Sequence, residues 1–127
     1  MKIRCLNSPD VASPPGGYSQ SIELSDFNRL LFVSGQVPST QEGKVPATFE
    51  AQAALTWENL IHQLEAADMT VKNLVKVTIF LASREYNLRN RAVRKQYLGD
   101  HAPAQSVLIT GIFDESWLLE IEAIAAA

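Results

Sequence analysis

The chain has 127 residues, 46% of them apolar and 20% charged, with a formal net charge of -3 at pH 7. That length suits one domain with one core, so a single domain over residues 1–127 is expected, and the composition excludes disordered and fibrous classes. The acidic balance argues against a broad phosphate-binding surface, so nucleic acid is not the expected partner.

Cys5 is the only cysteine, which leaves neither an intrachain disulfide nor a cysteine cluster for zinc. Lys2 and Arg4 are followed by no apolar stretch of secretory type, and no apolar run approaches the roughly 20 residues that span a bilayer. A cytoplasmic protein with no membrane partner is expected.

In chain order, Ser13-Pro14-Pro15-Gly16-Gly17-Tyr18-Ser19-Gln20 reads as a loop whose glycines let the backbone approach something closely. Ser21–Leu24 and Leu30–Gln36 have strand character, and Ser25–Arg29 between them reads as the turn of a hairpin. Val37–Ala47, with Pro38, Gly43 and Pro46, is a connection. From Thr48, the recurrence of Ala53, Trp57, Leu60, Leu64 and Ala67 predicts a helix that covers a sheet.

After a break at Asp68–Asn73, Leu74–Leu81 is a strand with Val75, Val77, Ile79 and Leu81 on one apolar face and Lys76 and Thr78 interrupting the other. Ser83 is placed to cap a second helix over Arg84–Leu98, which stops at Gly99. Gln105–Ile112 and Trp117–Ala125 are strands, with Asp114-Glu115-Ser116 as the turn before the second. Two helices can cover only one face of such a mixed sheet, which is an α+β arrangement. The uncovered face, carrying Leu118, Glu120, Glu122 and Ile124, is expected to meet other subunits in a closed ring.

The common nucleotide, zinc and serine-hydrolase motifs are absent. His62 and His101 are read as ordinary histidines that nothing in the sequence brings together. The basic run Arg89-Asn90-Arg91-Ala92-Val93-Arg94-Lys95 reads as the solvated remainder of a helix whose inner face holds Tyr86, Asn90, Val93 and Tyr97. Asn90 is the odd member of that face, since a buried amide needs partners from backbone or ligand. Glu120 and Glu122 share a strand face and are candidates for acid–base work or for interface ion pairs. Ser34-Gly35-Gln36 ends a strand with a glycine suited to a ligand's approach or to a bulge.

Five segments together resemble the RidA family, also called YjgF or the reactive intermediate deaminase family: Gly17–Gln20, Leu31–Pro38, Val75–Leu81, Pro103-Ala104 and Glu120–Ala125. The resemblance implies a chorismate-mutase-like fold in a homotrimer with a central barrel, and a small-molecule cleft at each subunit interface. It also implies hydrolysis of 2-imino or enamine acids to 2-oxo acids and ammonia without metal or cofactor, an arginine holding the carboxylate and a glutamate placing the attacking water. Glu120 matches that glutamate, and Tyr18, Ser34, Gly35 and Asn90 match cleft positions.

The family's arginine is replaced here by Gln105, whose amide offers two donors and no charge. Losing a bidentate charged pair in a partly desolvated cleft costs on the order of 2–5 kcal/mol of carboxylate binding. The expectation is therefore a trimer that binds a small carbonyl, imine or amide-bearing metabolite without the usual arginine-dependent deamination. Alternatives are a deaminase or hydrolase for another substrate, with Glu120 as acid or base and Gln105 as a hydrogen-bonding residue, and, third, an endoribonuclease or translation inhibitor. Arg89 or Arg91 is a candidate to restore a carboxylate clamp, from its own or an adjacent subunit.

Overall fold

A computed structural model describes all 127 residues. The elements are β1 (Lys2–Leu6), β2 (Ser21–Ser25), β3 (Leu30–Gln36), α1 (Phe49–Glu65), β4 (Leu74–Leu81), α2 (Asn87–Leu98), β5 (Ala104–Ile109) and β6 (Leu119–Ala126). The main sheet has the order β3-β6-β4-β5, with β5 parallel to β4 and the other pairs antiparallel. This is the expected α+β chain with a mixed sheet.

The anticipated hairpin does not form. β2 pairs with β1, a strand that was not foreseen, whereas β3 pairs with β6. After β2, Asp26 adopts φ +54°, and the N–H groups of Asn28 and Arg29 donate to the carbonyl of Ala127 at 2.8 and 2.9 Å. The turn thus delivers the chain to the far end of β6 instead of folding it back on β2. A turn signal specifies a change of direction but not the partner of the strand that follows.

Thr48 caps α1, its hydroxyl accepting from the Ala51 N–H at 3.2 Å. The apolar stripe of α1 lies on β3 and β6, and α2 packs against α1. Trp57, Leu60 and Leu64 meet Val77, Ile79 and Leu81 of β4 and Leu119, Ile121 and Ala123 of β6 in one core of 17 buried residues. Each buried Val, Leu or Ile among them contributes about 1.5–3 kcal/mol by leaving water. Buried Gln52 ties this layer to β6: its amide donates to the carbonyls of Pro46 and Ser116 and accepts from the Leu118 N–H at 2.8 Å.

The second helix begins later than expected. Arg84–Tyr86 is a 3-10 turn, on which the Ser83 hydroxyl accepts from the Glu85 N–H at 3.3 Å, and the α-helix starts at Asn87. Gly99 ends it at φ +57° and ψ -124°, a positive-φ conformation that glycine tolerates but which is not the left-handed helical one. Asp114 forms the anticipated turn before β6: its Oδ1 accepts from the N–H and hydroxyl of Ser116 at 2.8 and 2.6 Å. Those two bonds hold its carboxyl below the ordinary aspartate range.

The opposite sheet face has no cover within the chain. Phe32 is 71% exposed there, beside Ser34, Lys76, Thr78, Glu122 and Ile124. No helix is long and apolar enough to cross a membrane.

Candidate functional site

The sequence-predicted site residues fall into two groups. Tyr18, Asn90 and Gln105 line one cleft of about 310 Å³ between the N-terminal loop, α2 and β5, together with Arg91 and Arg94. The loop is pinned there by Ser19, whose hydroxyl donates to the Ala102 carbonyl at 2.6 Å and whose N–H donates to Pro103 at 3.1 Å. Ser19 also bridges Ala104 in parallel at the start of β5, so Gln20 runs beside Gln105 and Tyr18 beside Pro103.

Asn90 is 1% exposed, and neither its amide oxygen nor its nitrogen has a hydrogen-bond partner; the Gln105 Oε1 is likewise buried and unpartnered. Leaving a buried polar group without a partner costs about 1–3 kcal/mol, so this concentration is unusual in a core and natural in a ligand cleft.

Arg94 was grouped with the solvated side of α2, and that reading is corrected: it is only 7% exposed. The N-terminal loop covers this flank of the helix, and no helical wheel could have foretold it. The close approach expected of the double glycine is made to Arg94, since a Cβ on Gly17, at φ +80°, would lie 2.6 Å from Nη2. No carboxylate forms an ion pair with Arg91 or Arg94. Burial lowers the pKa of Arg94, the neighbouring Arg91 charge lowers it further, and Tyr18 opposes both. Arg89 points elsewhere: its guanidinium pairs with Glu50 at 3.1 Å and lies over the stacked rings of Phe49 and Tyr86.

The second group lies around β3 and β6. The register of β3 slips between Val33 and Gln36, a bulge centred on Ser34 and Gly35. The carboxylate of Glu120 sits against the α-carbon of Gly35, so that a Cβ there would fall 2.6 Å from the Glu120 Cδ. Glu120 also borders a groove of about 250 Å³ with Phe80, Thr110 and Phe113, whose ring is 95% exposed. Ser34 faces a separate groove of the open sheet with Lys76 and Glu122.

The single chain does not bring the two groups together. Gln105 is in register with Val77, on the helix-covered side, and Glu120 with Phe80, on the open side. Two strand spacings and three residues along β4 separate them, which is roughly 14 Å. The histidines stay apart as anticipated: His101 Nε2 bonds the Leu74 carbonyl at 2.7 Å, and His62 contacts Glu65 at the surface.

The chain is thus an α+β domain with a polar cleft at the β5 edge and a glutamate seated on a glycine bulge. The chain belongs to the RidA family: the family model described as Endoribonuclease L-PSP matches residues 8–127. The yeast protein HMF1 (Saccharomyces cerevisiae) is 32% identical over 98% of this chain and 92% of its own length. TdcF of Escherichia coli, a candidate reactive intermediate deaminase, is 31% identical over 87% of this chain and 89% of its own. Among solved structures, YyfB, a Rid family protein from Yersinia pestis, superposes with a TM-score of 0.85 at 25% identity, each chain fully covered. TdcF with bound serine superposes at 0.73 with 30% identity over 98% of each chain.

Proposed function

We propose that this RidA-family chain, acting as one domain, binds a small carbonyl, imine or amide-bearing metabolite in a cleft completed between protomers of a homotrimer, without the strand-borne arginine on which the usual deamination depends. The observation that carries this reading is the separation of Gln105 from Glu120 on opposite sides of the sheet. β5 is an edge strand, and a second copy laid with its open face along that edge sets its own Glu120 and Gly35 beside the first copy's Tyr18, Asn90 and Gln105. The exposed Phe32, Leu30 and Leu108 supply the apolar surface that such an assembly buries. The serine bound to TdcF supports a ligand of that size.

Within the cleft, the Gln105 amide takes the ligand's polar end with hydrogen bonds and no charge, and Tyr18 and Asn90 fix its orientation. Glu120, held against Gly35, orients water or moves a proton at the ligand's unsaturated carbon.

The test is ammonia release from freshly generated 2-imino acids by wild type and Gln105→Arg. The expected result is at least a tenfold gain in the variant, matching restoration of a charged bidentate contact. Fast turnover by wild type that Gln105→Arg does not improve would show another group holding the substrate and would overturn the assigned role of Gln105.

A further inference from the structure

Resting on the reading of that cleft as the ligand site, we propose that Arg94 and Arg91 form its anion-holding end, gripping from helix α2 a small carboxylate that also carries a hydrogen-bond donor.

Three observations converge on this. Arg94 is more than nine-tenths buried, lines the cleft with Arg91 three residues back on the same helix, and has no carboxylate partner in the chain. Two guanidinium groups sharing a partly desolvated space repel each other, as the lowered pKa of Arg94 reflects, and an anion between them reverses that repulsion. The second is the loop. Gly17 leaves no side chain where the Arg94 guanidinium packs, and Ser19 locks the loop to β5, so the arginine is held by its surroundings. A preorganised fork of donors is what bidentate carboxylate binding needs.

The third observation sets the ligand's chemistry. The unpartnered groups beside the arginines include two acceptors, the amide oxygens of Asn90 and Gln105, as well as the donor nitrogen of Asn90. A bare carboxylate offers only acceptors and leaves both oxygens unmatched, whereas a carboxylate next to a hydroxyl, amine or imine N–H satisfies them. Both atoms of Asn90 lack partners, so interchanging its oxygen and nitrogen changes nothing. The anion grip of this chain thus sits on α2 and the N-terminal loop, a binding contact apart from the strand-borne one at position 105 that Gln105→Arg would restore for deamination.

Lactate, its neutral isostere lactamide and inorganic phosphate are the probes, titrated calorimetrically into the assembled protein. Lactate is expected to bind about tenfold or more tightly than lactamide, and Arg94→Gln to erase that preference while lactamide affinity stays within about twofold. Arg94→Lys, which keeps charge but loses the fork, should retain part of it. Arg89→Gln, outside the cleft, should retain all of it. Should Arg94→Gln fail to fold, Arg91→Gln, at an exposed position, carries the test with a smaller loss in the same direction. Equal binding of lactate and lactamide, no lactate binding by wild type, or an unchanged preference in folded Arg94→Gln overturns the proposal. Tighter binding of phosphate than of lactate overturns the carboxylate assignment. Turnover that depends on Glu120 but not on Arg94 would sink this inference and leave the proposed function standing. A lactate preference without any dependence of turnover on Glu120 would do the reverse.

Discussion

At Gly35 a missing side chain does the positioning. Because a Cβ there would overlap the Glu120 carboxylate, Gly35→Ala should displace the glutamate and not unfold the chain. Turnover or ligand binding should fall at least about tenfold with the melting temperature nearly unchanged, since surface-proximal changes seldom shift stability by more than about 0.5 kcal/mol. Tyr97 gives a pH prediction. Burial first, then the charge of Glu58 and the 3.3 Å bond that the phenol donates to it, raise the Tyr97 pKa above 10.0. The folded state therefore binds this proton more tightly than the unfolded state does. Its contribution to stability is whole below pH 10 and is lost as the pH rises through the folded value. Denaturation midpoints compared at pH 9 and pH 11 should fall further for wild type than for Tyr97→Phe.

The elements owe their stability to features with different degrees of legibility. Thr48 caps α1 by a hydrogen bond that Thr48→Ala removes, for a loss of about 1 kcal/mol in urea unfolding. Trp57 is fully buried and stacks on Tyr97 at 5.9 Å between ring centres, so Trp57→Ala should cost about 3–5 kcal/mol in the same experiment. The periodicity of α1 and the alternation on β4 and β6 were readable because one element's own residues decide which side faces the core. The N-terminal strand was not: Lys2–Leu6 alternates weakly, and its pairing with β2 depends on a partner about twenty residues away. Helix α2 was readable only in part. Its inner face and its stop at Gly99 followed from spacing, but Arg94 is buried by the loop around Gly17, which belongs to another part of the chain.

For the whole molecule, the uncovered sheet face is the feature to explain. Phe32→Glu places a charge where the proposed trimer buries a ring, so sedimentation should shift from three times the 14.0 kDa protomer mass toward one. Far-UV circular dichroism should stay as it was, because Phe32 is already exposed in the single chain. A variant that sediments like wild type would exclude this face from the interface.

The sequence by itself determined the α+β class, the helix-covered sheet face, the family and the identity of the odd residue, Gln105, because each is written in local spacing or in short motifs. Tertiary structure alone decided that β2 turns to β1, that Gln105 and Glu120 lie on opposite sides of one sheet, and that two arginines without acidic partners stand beside Gln105. The physical reason is common to all three. Strand partners, loop placement and the burial of a charge depend on which distant segments share space, and local sequence spacing carries little of that information.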